Sequence, residues 1–260
     1  MILNYNQDFT FNGQKLSGIS DVTFASNFGL SLKKSLGAKN FGFAKSEPAV
    51  GTLEFSRSLI YNDPVLQLTG DSSCSGQFSY NSINYSFHSG FLSNYQVSCL
   101  VGQIPSVSSS FQIFGEMKSG AINDTIVTHP SIYVPSPRSL TVQNSYFSSN
   151  RAISIDYSVS CQRDVRYPVN SIFPDNVSLL RPVNISASIV YNVKGFSAVD
   201  LNYFVREVSS PSFIIDIKDR TLSTSLMTLP VSNAQLTSQQ IQGTVDSPLA
   251  VTLSYEGFSE

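Results

Sequence analysis

The chain has 260 residues, 41% of them apolar and only 13% charged, with a formal net charge of −2. That length fits one large β domain or two of ordinary size, and the apolar share is enough for a packed core. So small a net charge excludes a basic field for nucleic acid, and no run approaches the roughly 18 apolar residues of a membrane-spanning helix.

The three cysteines, Cys74, Cys99 and Cys161, are odd in number and irregularly spaced. They read as buried free thiols rather than a disulfide framework. The start, Met1-Ile-Leu-Asn-Tyr-Asn-Gln-Asp8, has no basic region followed by an apolar core, so no secretory leader is expected. Few charges with many Ser, Asn, Phe and Tyr fit surfaces that meet other protein surfaces, and equally a β-rich monomer.

Residues 1–20 read as an N-terminal arm or short hairpin, because Phe9-Thr-Phe11 alternates and Asn12-Gly13 favours a tight turn. A first β module spans 21–115. It opens with a strand from Asp21 to Leu32, continues through a long connector rich in Gly and Lys, and returns along Leu53–Tyr61. Asp63 as N-cap, Pro64 at the first helical position and Gly70 as terminator spell one or two helical turns. Alternating strands follow at Phe78–Tyr80, Ile83–Phe87, Phe91–Val101 and Val107–Phe114, and Gly115 closes the module.

Residues 116–139 hold His129-Pro130 and Pro135-Ser-Pro137, too much proline for a central strand. They form a linker or an exchange segment that crosses to a neighbour. A second β module spans 140–260. Its strands are expected at Tyr157–Cys161, Val183–Tyr191, Phe213–Ile217 and Leu249–Gly257. Between them, Ser197–Val208 is the best helix candidate, with Ser197 as cap and Val199, Phe204, Val205 and Val208 near helical spacing.

The two modules read as copies of one another. Phe28 matches Tyr157 at an offset of 129 (157−28), and Phe43 matches Phe173 at 130 (173−43). Tyr61 matches Tyr191, also at 130 (191−61). The closing segment Val107–Gly115 returns as Leu249–Gly257 at 142 (257−115). The second copy therefore carries extra loop residues, which chains accommodate at small entropic cost.

No catalytic constellation rises above this pattern. His88 and His129 stand far apart with no carboxylate motif beside either, and read as a strand-edge and a loop residue. Asp216-Ile-Lys-Asp219 lacks the spacing of a calcium loop. The chain is expected to be no enzyme and to carry no metal or cofactor. What remains is a pair of long connectors. Residues 33–50 contain Lys33, Lys34, Lys39, Phe41, Phe43 and Lys45; residues 162–182 contain Arg163, Arg166, Phe173 and Arg181. Each is either an arm that docks an aromatic tip on an adjacent subunit or a hairpin folded on its own module. The arm is the expectation taken, which makes these ten residues the inter-subunit candidates.

The succession of elements in each copy resembles the phage tail-tube family. Gly18-Ile-Ser-Asp21 leads into an alternating strand, a long charged loop and a return strand ending in Tyr61-Asn-Asp-Pro64. A short helix follows, then a closure containing Gly90-Phe-Leu-Ser-Asn-Tyr95 and Val101-Gly-Gln-Ile-Pro105. The likeness covers most of 18–115 and, more loosely, 140–257, where the Asn-Asp-Pro turn is missing. It implies a mainly β chain of two tandem, similar β-sandwich or split-barrel modules, each with one short α-helix and a long loop between early strands.

It also implies a virion structural protein, the major tail tube subunit, made in the host cytoplasm. Two-module members form trimeric, pseudo-hexameric rings that stack around a DNA-conducting lumen. The implied partners are further copies and other tail proteins (tape measure, terminator, baseplate); genome DNA passes without specific binding, and no membrane is involved. A baseplate hub or distal tail ring protein is the nearest alternative. A carbohydrate-binding β-sandwich on a virion surface is a lower one, since such modules want exposed aromatic platforms and the chain has 12 Tyr but no Trp.

Overall fold

The computed structural model describes residues 9–16, 18–27, 30–33, 42–45, 50–59, 63–80, 83–115, 118–119, 127–128, 140–143, 151–169, 171–193, 212–218, 225–243 and 249–259. The molecule is mainly β, as the alternating sequence predicts. The first half contains β1 (Phe9–Phe11), β2 (Gln14–Lys15), β3 (Ile19–Asn27), β4 (Leu30–Lys33), β5 (Gly42–Lys45) and β6 (Val50–Ser58). It continues through a single 3-10 turn at Leu66–Leu68 into β7 (Cys74–Tyr80), β8 (Ile83–Leu100) and β9 (Ser106–Ile113). Two short segments, β10 (Lys118–Ser119) and β11 (Val127–Thr128), lie in the stretch expected to be a linker. The second half contains β12 (Leu140–Gln143), β13 (Arg151–Ser160), β14 (Arg163–Arg166), β15 (Asn176–Leu179) and β16 (Val183–Val193). It ends with β17 (Phe213–Lys218), β18 (Ser225–Val231), β19 (Gln235–Gln242) and β20 (Leu249–Ser259).

The backbone of the architecture is one antiparallel sheet in the order β3-β6-β9-β8-β13-β16-β20-β19. Its inner face is apolar and is covered in the first half by β1, β7 and the N-terminal part of β8. In the second half β12, β17 and β18 pair with one another over it. β8 runs for 18 residues without interruption, where two separate strands were expected. It can do so because it bends at Gly90, which pairs with Cys74 of β7 on one edge and Ile113 of β9 on the other. A Cβ at Gly90 would lie 2.8 Å from both the Cys74 sulfur and the Phe87 ring, so the corner needs glycine.

Aromatic rings fill the first core. Phe9 and Phe11 of β1 sit against Phe55, and Phe11 and Phe55 against Phe111, with ring centroids 5.0–6.4 Å apart. The Asn12-Gly13 turn, with both residues at positive φ, forms as its dipeptide predicts. Rather than projecting as an arm, the hairpin lays both phenylalanines into the core through pairing with β7. The helical turn expected at Asp63–Gly70 is the 3-10 turn, and the Val65 N–H donates to Asp63 Oδ1 at 2.9 Å. The helix expected at Ser197–Val208 lies outside the described residues, as does most of 116–139.

The two halves follow the same order of pairings. In the first, β3 pairs with β6, β6 with β9, and β9 with β8; in the second, β13 pairs with β16, β16 with β20, and β20 with β19. Short hairpins stand at equivalent places, β4–β5 between β3 and β6, β14–β15 between β13 and β16. Even the irregularities coincide. The β3–β6 ladder shifts between Ile19 and Asp21, the β13–β16 ladder between Ala152 and Ser154, an offset of 133 (154−21). The β8–β9 ladder shifts between Leu92 and Asn94, the β19–β20 ladder between Leu236 and Ser238, an offset of 144 (238−94).

These offsets correct the sequence reading. Phe28 and Tyr61 lie outside the described residues. By the ladder irregularities Phe24 takes the place of Tyr157 (157−24 is 133) and Arg57 that of Tyr191 (191−57 is 134). Each discrepancy is an even number of residues. A slip by an even number keeps every apolar residue on its own face, so alternation alone cannot detect it.

One glycine closes the second half. At Gly257 a Cβ would lie 2.5 Å from the Ser232 carbonyl oxygen, which is main chain and already accepts the Phe258 N–H at 3.1 Å. The β18–β19 connection crosses β20 here, with Val231 Cγ1 3.2 Å and Ala234 Cα 3.6 Å from the same Cβ position. Gly257→Ala is expected to lower stability by about 1–3 kcal/mol, read as a reduced urea midpoint with an unchanged slope.

Candidate functional surface

The outer face of the eight-stranded sheet carries the chemistry, because alternation sends every second residue of each strand there. On β9 these are Ser106, Ser108, Ser110 and Gln112; on the C-terminal part of β8, Asn94, Gln96 and Ser98. β13 adds Ser154, Asp156, Ser158 and Ser160, and β16 adds Asn184, Ser186 and Ser188. β20 adds Thr252, Ser254 and Glu256, while β19 adds Gln235, Ser238, Gln240 and Gln242. Register aligns these residues into rows. One reads Asp21, Ser56, Ser108, Gln96, Ser158, Ser186, Glu256 and Gln235, crossing all eight strands.

Four carboxylates stand on this face, Asp21, Glu54, Asp156 and Glu256, and all are exposed. Among the described side chains on the face there is no lysine or arginine. Arg57 points inward, and Arg151 holds an outward register position at the start of β13. The face is therefore hydroxyl- and amide-rich and sparsely acidic, with Leu100 and Phe258 its exposed large apolar groups among the described residues. Two hollows open on it. The larger, about 420 Å³, is lined by Ser160, Asn184, Asn233, Gln235, Glu256 and Phe258 among others. The second adjoins it at Gln96, Asp156, Ser188 and Thr237.

The sequence-derived candidates fall elsewhere. Lys34, Lys39 and Phe41 lie outside the described residues, and Lys33, Phe43 and Lys45 occupy the β4–β5 hairpin. Both connectors thus contain two-stranded hairpins. Arg163, expected at a rim facing another subunit, is tied within its own chain. Its Nη1 donates to the Gly70 carbonyl at 2.8 Å; Nε and Nη2 donate to the Leu92 carbonyl at 3.3 and 3.1 Å. Leu92 borders the irregularity in the β8–β9 ladder, where a carbonyl needs a partner from outside the sheet. The guanidinium also lies 5.6 Å from the Phe91 ring centroid, and burial lowers its pKa.

The base of the same hairpin is fastened to the first half twice more. The Leu179 N–H donates to Asp71 Oδ1 at 2.7 Å, and the Cys161 N–H to the Ser93 carbonyl at 2.9 Å. Arg166 is exposed and pairs with Asp164 at 3.1 Å. Phe173 is half-buried in the β14–β15 loop, and Arg181 is exposed beside a hollow lined by Leu66, Tyr157 and Pro230.

A second polar feature is internal. Arg57 and Asp63 form a fully buried ion pair behind the sheet, and the Tyr95 hydroxyl donates to Asp63 Oδ2 at 2.7 Å. Burial, then the Asp63 carboxylate, push the Tyr95 pKa well up. Met227 of the second half approaches the same hydroxyl at 3.7 Å, so the cluster sits where the halves meet.

The cysteines are buried and free. Burial pushes the Cys99 thiol up to about 11 and raises those of Cys74 and Cys161 as well. Thiolate is the reactive form, so a thiol reagent near neutral pH is expected to leave the native chain unmodified and to titrate all three groups after denaturation. Fast modification of the native chain would contradict the packing around them.

Among the described residues no group of His, Cys, Asp and Glu is placed to hold a metal ion, and no helix is long and apolar enough to cross a membrane. No family model matches the chain, and no curated protein matches it.

Proposed function

We propose that this chain is the repeating wall subunit of a viral tail tube, a tandem of one β module used twice, with three copies closing a ring around a passage for DNA. The observation that supports this most is the outer sheet face. A wall that DNA must slide past needs hydration without cations, since each Lys or Arg would add a phosphate contact. A row of hydroxyls and amides with scattered carboxylates meets that need. Aromatic stacking platforms, which hold single strands, are sparse there: Phe258, opposite Asn184, is the one exposed ring in its described rows.

The repeated order of pairings supports ring formation as well. Two like modules in one chain can alternate around an axis and present similar contacts at each step. The expected result is that purified protein assembles above a threshold concentration into open-ended tubes of uniform width. Light scattering and negative-stain microscopy read this directly. A closed single ring would favour a baseplate hub or distal tail ring; a monomer at every concentration would overturn the reading.

One observation favours a second reading. Phe258, 39% exposed, stands beside Asn184, Asn233, Gln235 and Glu256 in the larger hollow, an aromatic-and-amide grouping that suits a sugar ring. Binding to a glycan array that is lost in Phe258→Ser would move the assignment to a carbohydrate-binding module.

A further inference from the structure

Among the described residues β3 and β19 pair on one side only, so they are the open edges of the eight-stranded sheet. Each has a counterpart inside the chain. β3 corresponds to β13 at an offset of 133 (154−21), and β19 corresponds to the C-terminal part of β8 at 144 (238−94). Those two counterparts pair with each other, antiparallel, from Ser154 opposite Leu100 to Ser160 opposite Asn94. Resting on the ring reading above, we propose that β19 of one copy pairs with β3 of the next in the register of this internal seam. Carrying the offsets through, Tyr157–Val97 becomes Phe24–Ile241, Ser158–Gln96 becomes Ala25–Gln240, and Asp156–Ser98 becomes Thr23–Gln242.

Burial supports the assignment. Tyr157 and Val97 are 2% and 0% exposed, whereas Ile241 is 43% exposed on its bare edge and Phe24 only half-buried. A neighbouring copy in this register covers both. It also extends the outer polar rows, because Thr23, Ala25, Gln240 and Gln242 all lie on that face. The occupant is a second copy because the chain already contains the mating surface for each edge.

The seam between copies is thinner than the one within the chain. Where the internal seam packs Val159 against Tyr95 and Ile155 against Cys99, the corresponding pairs are Ser26 with Gln239 and Val22 with Gly243. One fully apolar pair, Phe24–Ile241, remains. Such an edge holds a partner through main-chain hydrogen bonds yet resists indiscriminate pairing, which suits a subunit that stays dispersed until it is assembled.

A cysteine pair tests the register. Opposed Cβ atoms lie about 4.5–5.5 Å apart and diagonal ones about 7–8 Å. Thr23→Cys with Gln242→Cys is expected to give covalent oligomers ending at trimer, at least about tenfold faster than the shifted pair Thr23→Cys with Gln240→Cys. The native thiols are buried and contribute little background. Ile241→Glu, at an exposed position, is expected to abolish assembly with an unchanged melting temperature. Faster linking by the shifted pair, or no linking while rings persist in micrographs, overturns the register and leaves the ring reading standing. A chain that stays monomeric by light scattering at all concentrations overturns both.

Discussion

Asp63→Asn is expected to destabilise the chain by about 3–5 kcal/mol, and Arg57→Met in the same chain to recover most of that loss. The physical reason is the cost of an unpaired charge in a fully buried site. Both side chains of the pair are fully buried, and Nε and Nη1 of Arg57 find no hydrogen-bond partner among the described residues. Removing the carboxylate leaves a buried guanidinium without its counter-charge. Arg57→Met alone is milder, because Asp63 still accepts from the Val65 N–H and the Tyr95 hydroxyl. In the double variant the amide oxygen of residue 63 keeps one of those acceptor roles and no charge remains. The expected order of melting temperature is wild type, then the double variant, Arg57→Met and lastly Asp63→Asn, over a span of roughly 10 °C. Equal loss in all three variants would mean that shape, rather than charge pairing, holds the junction.

The ion pair was invisible in the sequence because its members meet only through the fold. Arg57 sits at an inward position of an alternating strand, where the pattern calls for an apolar residue, and that misfit is the one local signal it offers. Strands themselves were legible wherever one face is buried. Leu53–Tyr61 and Val107–Phe114 differ from β6 and β9 by a few residues at most. Continuity was not legible, since nothing local says whether Gly90 ends a strand or bends it; the answer lies in the β7 and β9 partners on its two edges.

Much of the candidate surface is legible in the sequence. Val107-Ser-Ser-Ser-Phe-Gln-Ile113 and Val183-Asn-Ile-Ser-Ala-Ser-Ile189 place serine or an amide at nearly every outward position. A surface strand with no functional demand more often mixes in lysine and glutamate. Charge in a long loop is the more conspicuous signal, and the connectors carry it. Arg163, a cation on a strand beside a ladder irregularity, caps carbonyls of its own chain.

Reversing the carboxylates of the outer face should turn a surface indifferent to DNA into one that retains it. In the triple variant Glu54→Lys, Asp156→Lys and Glu256→Lys, all three positions are exposed, so the fold is expected to melt within about 0.5 kcal/mol of wild type. The rows of hydroxyls and amides between them already offer neutral donors to phosphate, and the carboxylates set the sign of the potential along them. Wild-type protein should show no retention of short duplex DNA even at about 50 mM salt. The variant should bind there and lose affinity steeply by about 200 mM, because each ammonium–phosphate contact releases a counterion. The same fragments measured on assembled rings should show retention in the variant alone. Tight, salt-resistant binding by wild type would instead make this face a nucleic-acid reader and remove the main support for a conducting wall. A variant that binds only as dispersed subunits, and not once rings have closed, would place the face on an inter-subunit contact rather than on the passage.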